Sequence, residues 1–161
     1  IKGGLASPEI QERLALTMAT LNKQAAEVMK DFPVHACTDI TGFGFLGHLS
    51  EMVVDSGFGV HIQAAAIPVF PEALEYAAMG LIPAGAYKNR DFRAFMVDFA
   101  PGVDPMLRDV LFDPQTSGGL LISLEAGHAE ELLKALRSKG VAAAAIVGEI
   151  AFEPKERILV L

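Results

Sequence analysis

The stretch that most constrains the fold runs from Val34 to Ser56, where a short apolar run ends in Asp39 and a glycine-rich turn follows. The apolar spacing after the glycines predicts an amphipathic helix. A strand, a carboxylate, a glycine loop and a helix N-terminus in this order can hold a metal-bound phosphate, because the first amides of a helix are unpaired donors. The chain is therefore expected to be organised around this loop.

The glycines of this stretch, Gly42-Phe-Gly-Phe-Leu-Gly47, fit the G-x-G-x-x-G spacing of dinucleotide-binding folds. That fingerprint requires an acid after the next strand, and the next predicted strand ends in Ala64-Ala-Ala-Ile-Pro. Asp39 would repel a pyrophosphate bound directly to the amides, but it becomes a ligand if Mg²⁺ lies between them. Asp39 thus favours a metal-bound nucleotide. A carboxylate that caps the turn, and a glycine turn without a ligand, stay open as alternatives.

A second glycine-rich stretch, Asp113-Pro-Gln-Thr-Ser-Gly-Gly119, offers the hydroxyls of Thr116 and Ser117, and glycines that allow close approach of the backbone. It leads into a predicted strand and contains no lysine, so it is not a Walker loop. An ordinary polar turn is the alternative. Asp113 could be a ligand, but it is expected to begin that turn before Pro114.

Composition excludes several classes of protein. The 161 residues suit one domain, and the net charge of −7 without a basic patch argues against nucleic acid as a partner. No apolar run reaches the roughly 18 residues that span a bilayer, so no membrane is expected. The single cysteine, Cys37, excludes an internal disulfide and favours a reducing cytoplasm. Cys37 is expected to be a small buried hydrophobe.

Periodicity and capping signals predict helices that alternate with strands. The first helix is expected to be long, with Ser7-Pro8 at its start and Pro33 closing it, and the helix after Phe45 is expected to end at Gly57. Residues 83–90 are predicted to form an irregular loop. The predicted helices are 8–32, 45–56, 71–79, 104–112 and 129–139, and the predicted strands are 34–38, 60–64, 95–99, 120–124, 144–150 and 157–160. This order indicates an α+β fold with helices packed on a mixed sheet.

The stretches from His35 to His48 and from Leu111 to Ile122, with the Asn89-Arg90 segment between them, resemble selenophosphate synthetase (selenide, water dikinase). The resemblance covers nearly the whole chain. It implies the C-terminal half of such an enzyme, with α/β/α layers around a mixed sheet. It also implies that residues 1–161 form a single domain that contacts ATP and Mg²⁺, that residues 1–6 are the remnant of an inter-domain connection, and that an N-terminal domain is missing.

The resemblance further implies a reaction in which selenide, ATP and water give selenophosphate, AMP and phosphate. Asp39 would be the Mg²⁺ ligand of this domain, and the loop residues Thr38, Thr41, Gly42 and Gly44 would surround it, with Thr116, Ser117, Gly118 and Gly119 completing the cleft. Asn89, Arg90 and His48 are further candidates, with solvent exposure or helix packing as the alternative. The full enzyme is expected to be a homodimer.

The catalytic cysteine or selenocysteine of the resembled family lies in the missing N-terminal segment, so no catalytic residue is expected here and the chain alone should be inactive. Two alternatives remain. One is a related enzyme acting on a purine precursor or a thiamine phosphate. The other is a non-catalytic nucleotide-binding module.

Overall fold

The computed structural model describes residue 1 and residues 3–161. These residues form seven α-helices and six strands. The helices are α1 (Pro8–Ala19), α2 (Lys23–Met29), α3 (Gly44–Val53), α4 (Pro71–Ala78), α5 (Ala84–Arg93), α6 (Pro105–Val110) and α7 (Ala129–Ser138). The strands are β1 (Val34–Asp39), β2 (Gly59–Ile62), β3 (Val97–Phe99), β4 (Leu120–Leu124), β5 (Gly148–Ala151) and β6 (Ile158–Val160).

The strands divide between two sheets. Four of them form a mixed sheet in the order β3-β6-β2-β5, in which β6 runs parallel to both β2 and β3 while β5 is antiparallel to β2. The other two, β1 and β4, form an antiparallel pair. The predicted α+β fold with a mixed sheet is confirmed.

The hydrophobic core lies between α3 and the mixed sheet. Leu46 and Leu49 of α3 are buried in one cluster with residues of β2 and β6, among them Ile62 and Ile158. Phe112 belongs to the same cluster and is fully buried immediately before the second glycine-rich stretch. The core therefore anchors the helix after the first glycine-rich stretch and the residue before the second.

The predicted N-terminal helix is two helices, because α1 ends at Ala19 and α2 begins at Lys23. Thr20 at the C-terminus of α1 has extended dihedral angles, and its hydroxyl donates to the carbonyl of Leu16 at 2.8 Å. Such side-chain bonding to the backbone competes with helix continuation. The predicted start is confirmed, since the Ser7 hydroxyl accepts from the amide of Ile10.

Residues 83–90 are not the predicted irregular loop, since α5 covers most of them. The prediction failed because proline and glycine are common in loops. Here Pro83 is the N-cap, and Gly85 lies in the first turn of α5. A glycine is required at this position because a Cβ would be 2.7 Å from Cγ of Pro114. The glycine thus permits close packing between α5 and the second glycine-rich stretch.

Smaller differences concern boundaries. Helix α3 ends at Val53 and not at Gly57, which has a φ of +75° in the following turn. Strand β2 ends at Ile62, and β5 begins only at Gly148, after an irregular alanine-rich segment. In the described part of the chain, no helix is long and apolar enough to cross a bilayer.

Candidate functional site

The pairing of β1 with β4 brings the two glycine-rich stretches together. Asp39, the last residue of β1, lies opposite Leu120, the first residue of β4. The pairing continues beyond the strands, because the Ile40 amide donates to the Gly119 carbonyl at 3.0 Å and the Gly118 amide donates to the Ile40 carbonyl at 2.9 Å. An antiparallel pair places the end of one strand beside the start of the other. The two loops therefore form one surface.

Two glycines allow this close approach. Gly44 has a φ of +71°, and a Cβ there would lie 2.6 Å from the carbonyl carbon of Phe112. A Cβ at Gly118 would lie 2.9 Å from the carbonyl oxygen of Ile40. Real Cβ atoms do not approach backbone atoms this closely, so both positions require the absence of a side chain. The glycines serve contact between the loops themselves.

Asn89 of α5 joins both stretches with one side chain. Its Nδ2 amide donates to the Gly42 carbonyl at 2.9 Å and to the Phe112 carbonyl at 3.0 Å. Both hydrogens of the amide are thereby used. Asn89 therefore holds the loop surface together from the side of α5 and has no donor left for a ligand.

Arg90 does not reach the loops. Its guanidinium donates to Asp109 of α6 at 2.7 Å and lies 5.0 Å from the ring centre of Tyr87. The ion pair is half-exposed on the arginine side. Arg90 thus fixes α5 against α6, which places it in a supporting position rather than among the loop residues.

His48 lies in α3 behind the first loop and is 7% exposed. Its Nε2 is 3.1 Å from the Thr41 hydroxyl, and its Nδ1 is 3.1 Å from a carboxylate oxygen of Glu51. The ring also packs against Phe43, with ring centres 5.4 Å apart. His48 is therefore a buried link between the loop and a carboxylate on the next turn of the helix. Sequence reasoning missed Glu51, although its three-residue spacing from His48 on a helix was visible.

Asp39 is exposed at the end of β1. Among the described residues, no cation or hydrogen-bond donor pairs with its carboxylate, and no group of three acidic, histidine or cysteine side chains clusters for a metal. A single free carboxylate beside backbone amides fits the one or two carboxylates that Mg²⁺ takes when phosphates supply the other oxygens.

Cys37 lies two residues before Asp39 and is exposed, which contradicts the expectation of a buried hydrophobe. The expectation failed because β1 pairs only with β4 within the described residues, and four of its six residues are exposed. Partial burial raises the pKa of the Cys37 thiol, and the nearby Asp39 carboxylate adds to that effect. A raised pKa disfavours the thiolate, which is the reactive form.

The remaining candidates surround this surface. Thr38 donates from its hydroxyl to the Asp39 carbonyl at 3.3 Å, and Ser117 donates to the Thr20 carbonyl at 3.4 Å. Thr116 is exposed at the tip of the second stretch. The backbone amide of Gln115 donates to the Thr41 carbonyl at 2.9 Å. This hydrogen bond is a further link between the two stretches that the sequence did not reveal.

Asp113, the first residue of the second stretch, lies partly buried. One carboxylate oxygen accepts from the Gln115 side chain at 3.1 Å, whereas the other has no partner among the described residues. Burial raises the pKa of Asp113, and the hydrogen bond from Gln115 acts against this. Asp113 and Asp109 line one end of a mainly apolar cavity of about 180 Å³ between α4 and α6.

These features define an α+β domain that presents two joined glycine-rich loops and one free carboxylate. Residues 2–160 match the family described as "AIR synthase related protein, C-terminal domain", and the chain belongs to this family.

The resemblance carried by the two stretches is confirmed by curated relatives. A selenide, water dikinase of Pelobacter propionicus is 62% identical over 160 residues, which are 99% of this chain and 46% of that protein. Selenide, water dikinase 2 of Peptoclostridium acidaminophilum is 43% identical over 161 residues, again covering 46% of the relative. The chain thus spans about half the length of the curated relatives it matches.

Solved structures show the same fold. E. coli HypE is similar to this chain with a TM-score of 0.61 and 23% identity, over 98% of this chain and 39% of HypE. A second structure of E. coli HypE, a hydrogenase maturation protein, gives a TM-score of 0.59 and 24% identity, over 94% of this chain and 40% of HypE. At this level of identity the likeness concerns the fold alone.

Proposed function

We propose that this chain is the C-terminal, nucleotide-contacting part of a selenophosphate synthetase, which converts selenide, ATP and water into selenophosphate, AMP and phosphate. The observation that carries the proposal is the joined loop surface with its free carboxylate, in a chain 62% identical to a selenide, water dikinase. The HypE likeness supports no competing activity, because it is limited to the fold.

Asp39 would hold Mg²⁺ at the phosphates, together with carboxylates of an N-terminal domain. Mg²⁺, when bound, neutralises phosphate charge and orients the oxygens for transfer. The amides of the loop surface are kept in place by Asn89 and by the contact of Gly44 with the Phe112 backbone. The contribution of this chain is therefore positioning and charge neutralisation.

The proposal assigns the catalytic cysteine or selenocysteine to the N-terminal domain, and it assigns a homodimer to the full-length enzyme. It also places the reaction in the cytoplasm, because the one cysteine of this chain cannot form an internal disulfide.

The proposal is tested with the full-length protein, ATP, Mg²⁺ and selenide, followed by phosphorus NMR. We expect selenophosphate, AMP and phosphate to form in equal amounts and only when selenide is present. Hydrolysis of ATP to ADP without a selenium–phosphorus signal would contradict the proposal. Replacing selenide by an aminoimidazole precursor or by thiamine phosphate tests the related activities.

The 161-residue chain should produce no AMP under the same conditions, because one carboxylate and one wall of a cleft do not assemble the reaction. Selenide-dependent AMP formation by the isolated chain would show that the assignment of the catalytic residue to the N-terminal domain is wrong.

A further inference from the structure

Thr41, His48 and Glu51 form a continuous hydrogen-bonded chain from the loop surface into α3. The Thr41 hydroxyl is 3.1 Å from Nε2 of His48, and Nδ1 of His48 is 3.1 Å from the Glu51 carboxylate. Thr41 is half-buried in the first glycine-rich stretch, two residues after Asp39. The direction of these two hydrogen bonds decides what Thr41 can offer to a ligand.

The direction follows from the chemistry of the groups. An ionised carboxylate only accepts, so Nδ1 of His48 donates to Glu51. In the neutral imidazole the other nitrogen, Nε2, then carries a lone pair and accepts. With the ring in this neutral form, the Thr41 hydroxyl donates its hydrogen to Nε2. Its oxygen keeps two lone pairs and has no hydrogen to donate toward the loop surface.

A hydroxyl in this state cannot donate to a phosphate oxygen, which is itself an acceptor. Its partner must carry hydrogens. At a Mg²⁺–ATP site, water molecules bound to Mg²⁺ or attacking a phosphorus atom are such donors close to the phosphates.

We infer that the Thr41–His48–Glu51 chain fixes the Thr41 hydroxyl as an acceptor that positions a water molecule at the ATP site, rather than as a donor to phosphate. This inference rests on the proposed function. His48 and Glu51 are positioning residues, since they act through Thr41. The ring of His48 is held in one orientation because it is buried, packs against Phe43 and has a hydrogen-bond partner at each nitrogen.

The first test measures the tautomer directly. Full-length protein labelled with ¹⁵N-histidine is studied by nitrogen NMR at neutral pH without nucleotide, and the His48 signals are assigned with His48→Gln. The inference predicts a protonated Nδ1 and an unprotonated Nε2. An imidazolium, or a neutral ring protonated on Nε2, would overturn it.

The second test uses kinetics of the full-length enzyme. Thr41→Val removes the acceptor, and Glu51→Lys replaces the acceptor at Nδ1 by a donor, which reverses the chain. Both should lower kcat about tenfold, the size expected for one lost hydrogen bond to a reacting or metal-bound water, while KM for ATP stays within about twofold. Thr41→Ser and Glu51→Gln keep an acceptor at each place and should restore kcat.

Glu75→Lys on α4 is the matched control, because it makes the same charge change at an exposed helical position. Its kcat should equal that of the wild type. An increase in KM for ATP with unchanged kcat in Thr41→Val would overturn the inference and indicate a phosphate contact. A fall in thermal stability without any kinetic change would also overturn it, in favour of a purely structural role.

The two hypotheses fail in different ways. If the wild-type enzyme forms no selenophosphate, the proposed function and the role of Thr41 at an ATP site are both wrong, while the tautomer measurement still decides the direction of the chain. If the wild type is active and both Thr41→Val and Glu51→Lys match its kcat, only the inference about Thr41 is wrong.

Discussion

Gly44 sets the distance between the two glycine-rich stretches. Its φ of +71° is strained for any residue with a Cβ, and the added atom would contact the Phe112 carbonyl group at 2.6 Å. Gly42, two residues earlier in the same motif, has open space around its Cα. The two glycines thus look equivalent in the sequence but carry different constraints.

Gly44→Ala should destabilise the chain by about 2–4 kcal/mol, which combines the cost of a positive φ with that of an overpacked contact. Gly42→Ala should change the free energy of unfolding by less than about 1 kcal/mol, because nothing lies within 4 Å of its Cβ. Urea unfolding of both variants measures this. Equal losses would show that the contact with Phe112 does not decide stability.

The sequence revealed the chemistry of individual residues better than their surroundings. Asp39 was predicted to be a metal ligand from its place before the glycines, and it lies exposed at the end of β1, where that role stays a prediction. Cys37 was expected to be buried because short apolar strands usually are. Its exposure depends on whether a third strand or another layer covers β1, and the residues of β1 contain no information about that.

Helix α5 was not predicted from the sequence, although it joins the two glycine-rich stretches of the site. Pro83 and Gly85 suggested a loop, yet they form the cap and the packing contact of a helix. That helix brings Asn89 to carbonyls of residues 47 and 23 positions away in the chain. Such contacts between distant residues leave no periodic signal.

Asn89→Ala should lower the free energy of unfolding by about 1–3 kcal/mol, because the partly buried Phe112 carbonyl and the exposed Gly42 carbonyl both lose their donor. In the full-length enzyme it should also weaken binding of Mg²⁺–ATP, since the two loops are no longer held together. Lys88→Ala, at the exposed neighbouring position, should change neither quantity. Unfolding curves and calorimetric titration measure both effects, and wild-type affinity in Asn89→Ala would refute the bridging role.

Asp113 lies between α6 and the second glycine-rich stretch. One of its carboxylate oxygens has no partner among the described residues, and burial raises its pKa. A carboxyl group with a raised pKa in the folded state binds protons more tightly there than in the unfolded state, so its contribution to stability falls as pH rises toward the folded pKa. The destabilisation is absent at a pH below the unfolded pKa and is complete at a pH above the folded pKa.

Asp113→Asn removes this ionisation. The free energy of unfolding of Asp113→Asn relative to the wild type should therefore increase from acid to neutral pH. Urea unfolding of both proteins across that range provides the comparison. A relative stability that does not change with pH would mean that Asp113 is not destabilised by its charge.

For the whole molecule, the order of elements was largely predictable. Six of the seven helices and all six strands lie within or close to the predicted segments, and the α+β fold follows from their alternation. The division of the strands into two sheets was not predictable, because strand order depends on pairing between distant segments. The break after Ala19 was hidden by apolar residues that continue in register through it.

The molecule also leaves surface that this chain does not cover. None of the residues of α1 is buried, and Leu16 of that helix is 63% exposed. The chain spans 46% of the selenide, water dikinases of Pelobacter propionicus and Peptoclostridium acidaminophilum. In the proposed enzyme, the ATP cleft would lie between the loop surface and the N-terminal domain. The contribution of the Asp39 carboxylate to Mg²⁺ binding can therefore be tested separately from that of the N-terminal domain.

The most direct test of that share is Asp39→Asn in the full-length enzyme, with selenide-dependent AMP formation measured as a function of Mg²⁺ concentration. The substitution keeps the size of the side chain at an exposed position, so circular dichroism and thermal unfolding should match the wild type. Loss of the ligand should reduce turnover at least about a hundredfold at low Mg²⁺, with partial recovery at high Mg²⁺. Turnover and Mg²⁺ dependence equal to those of the wild type would contradict the metal role of Asp39.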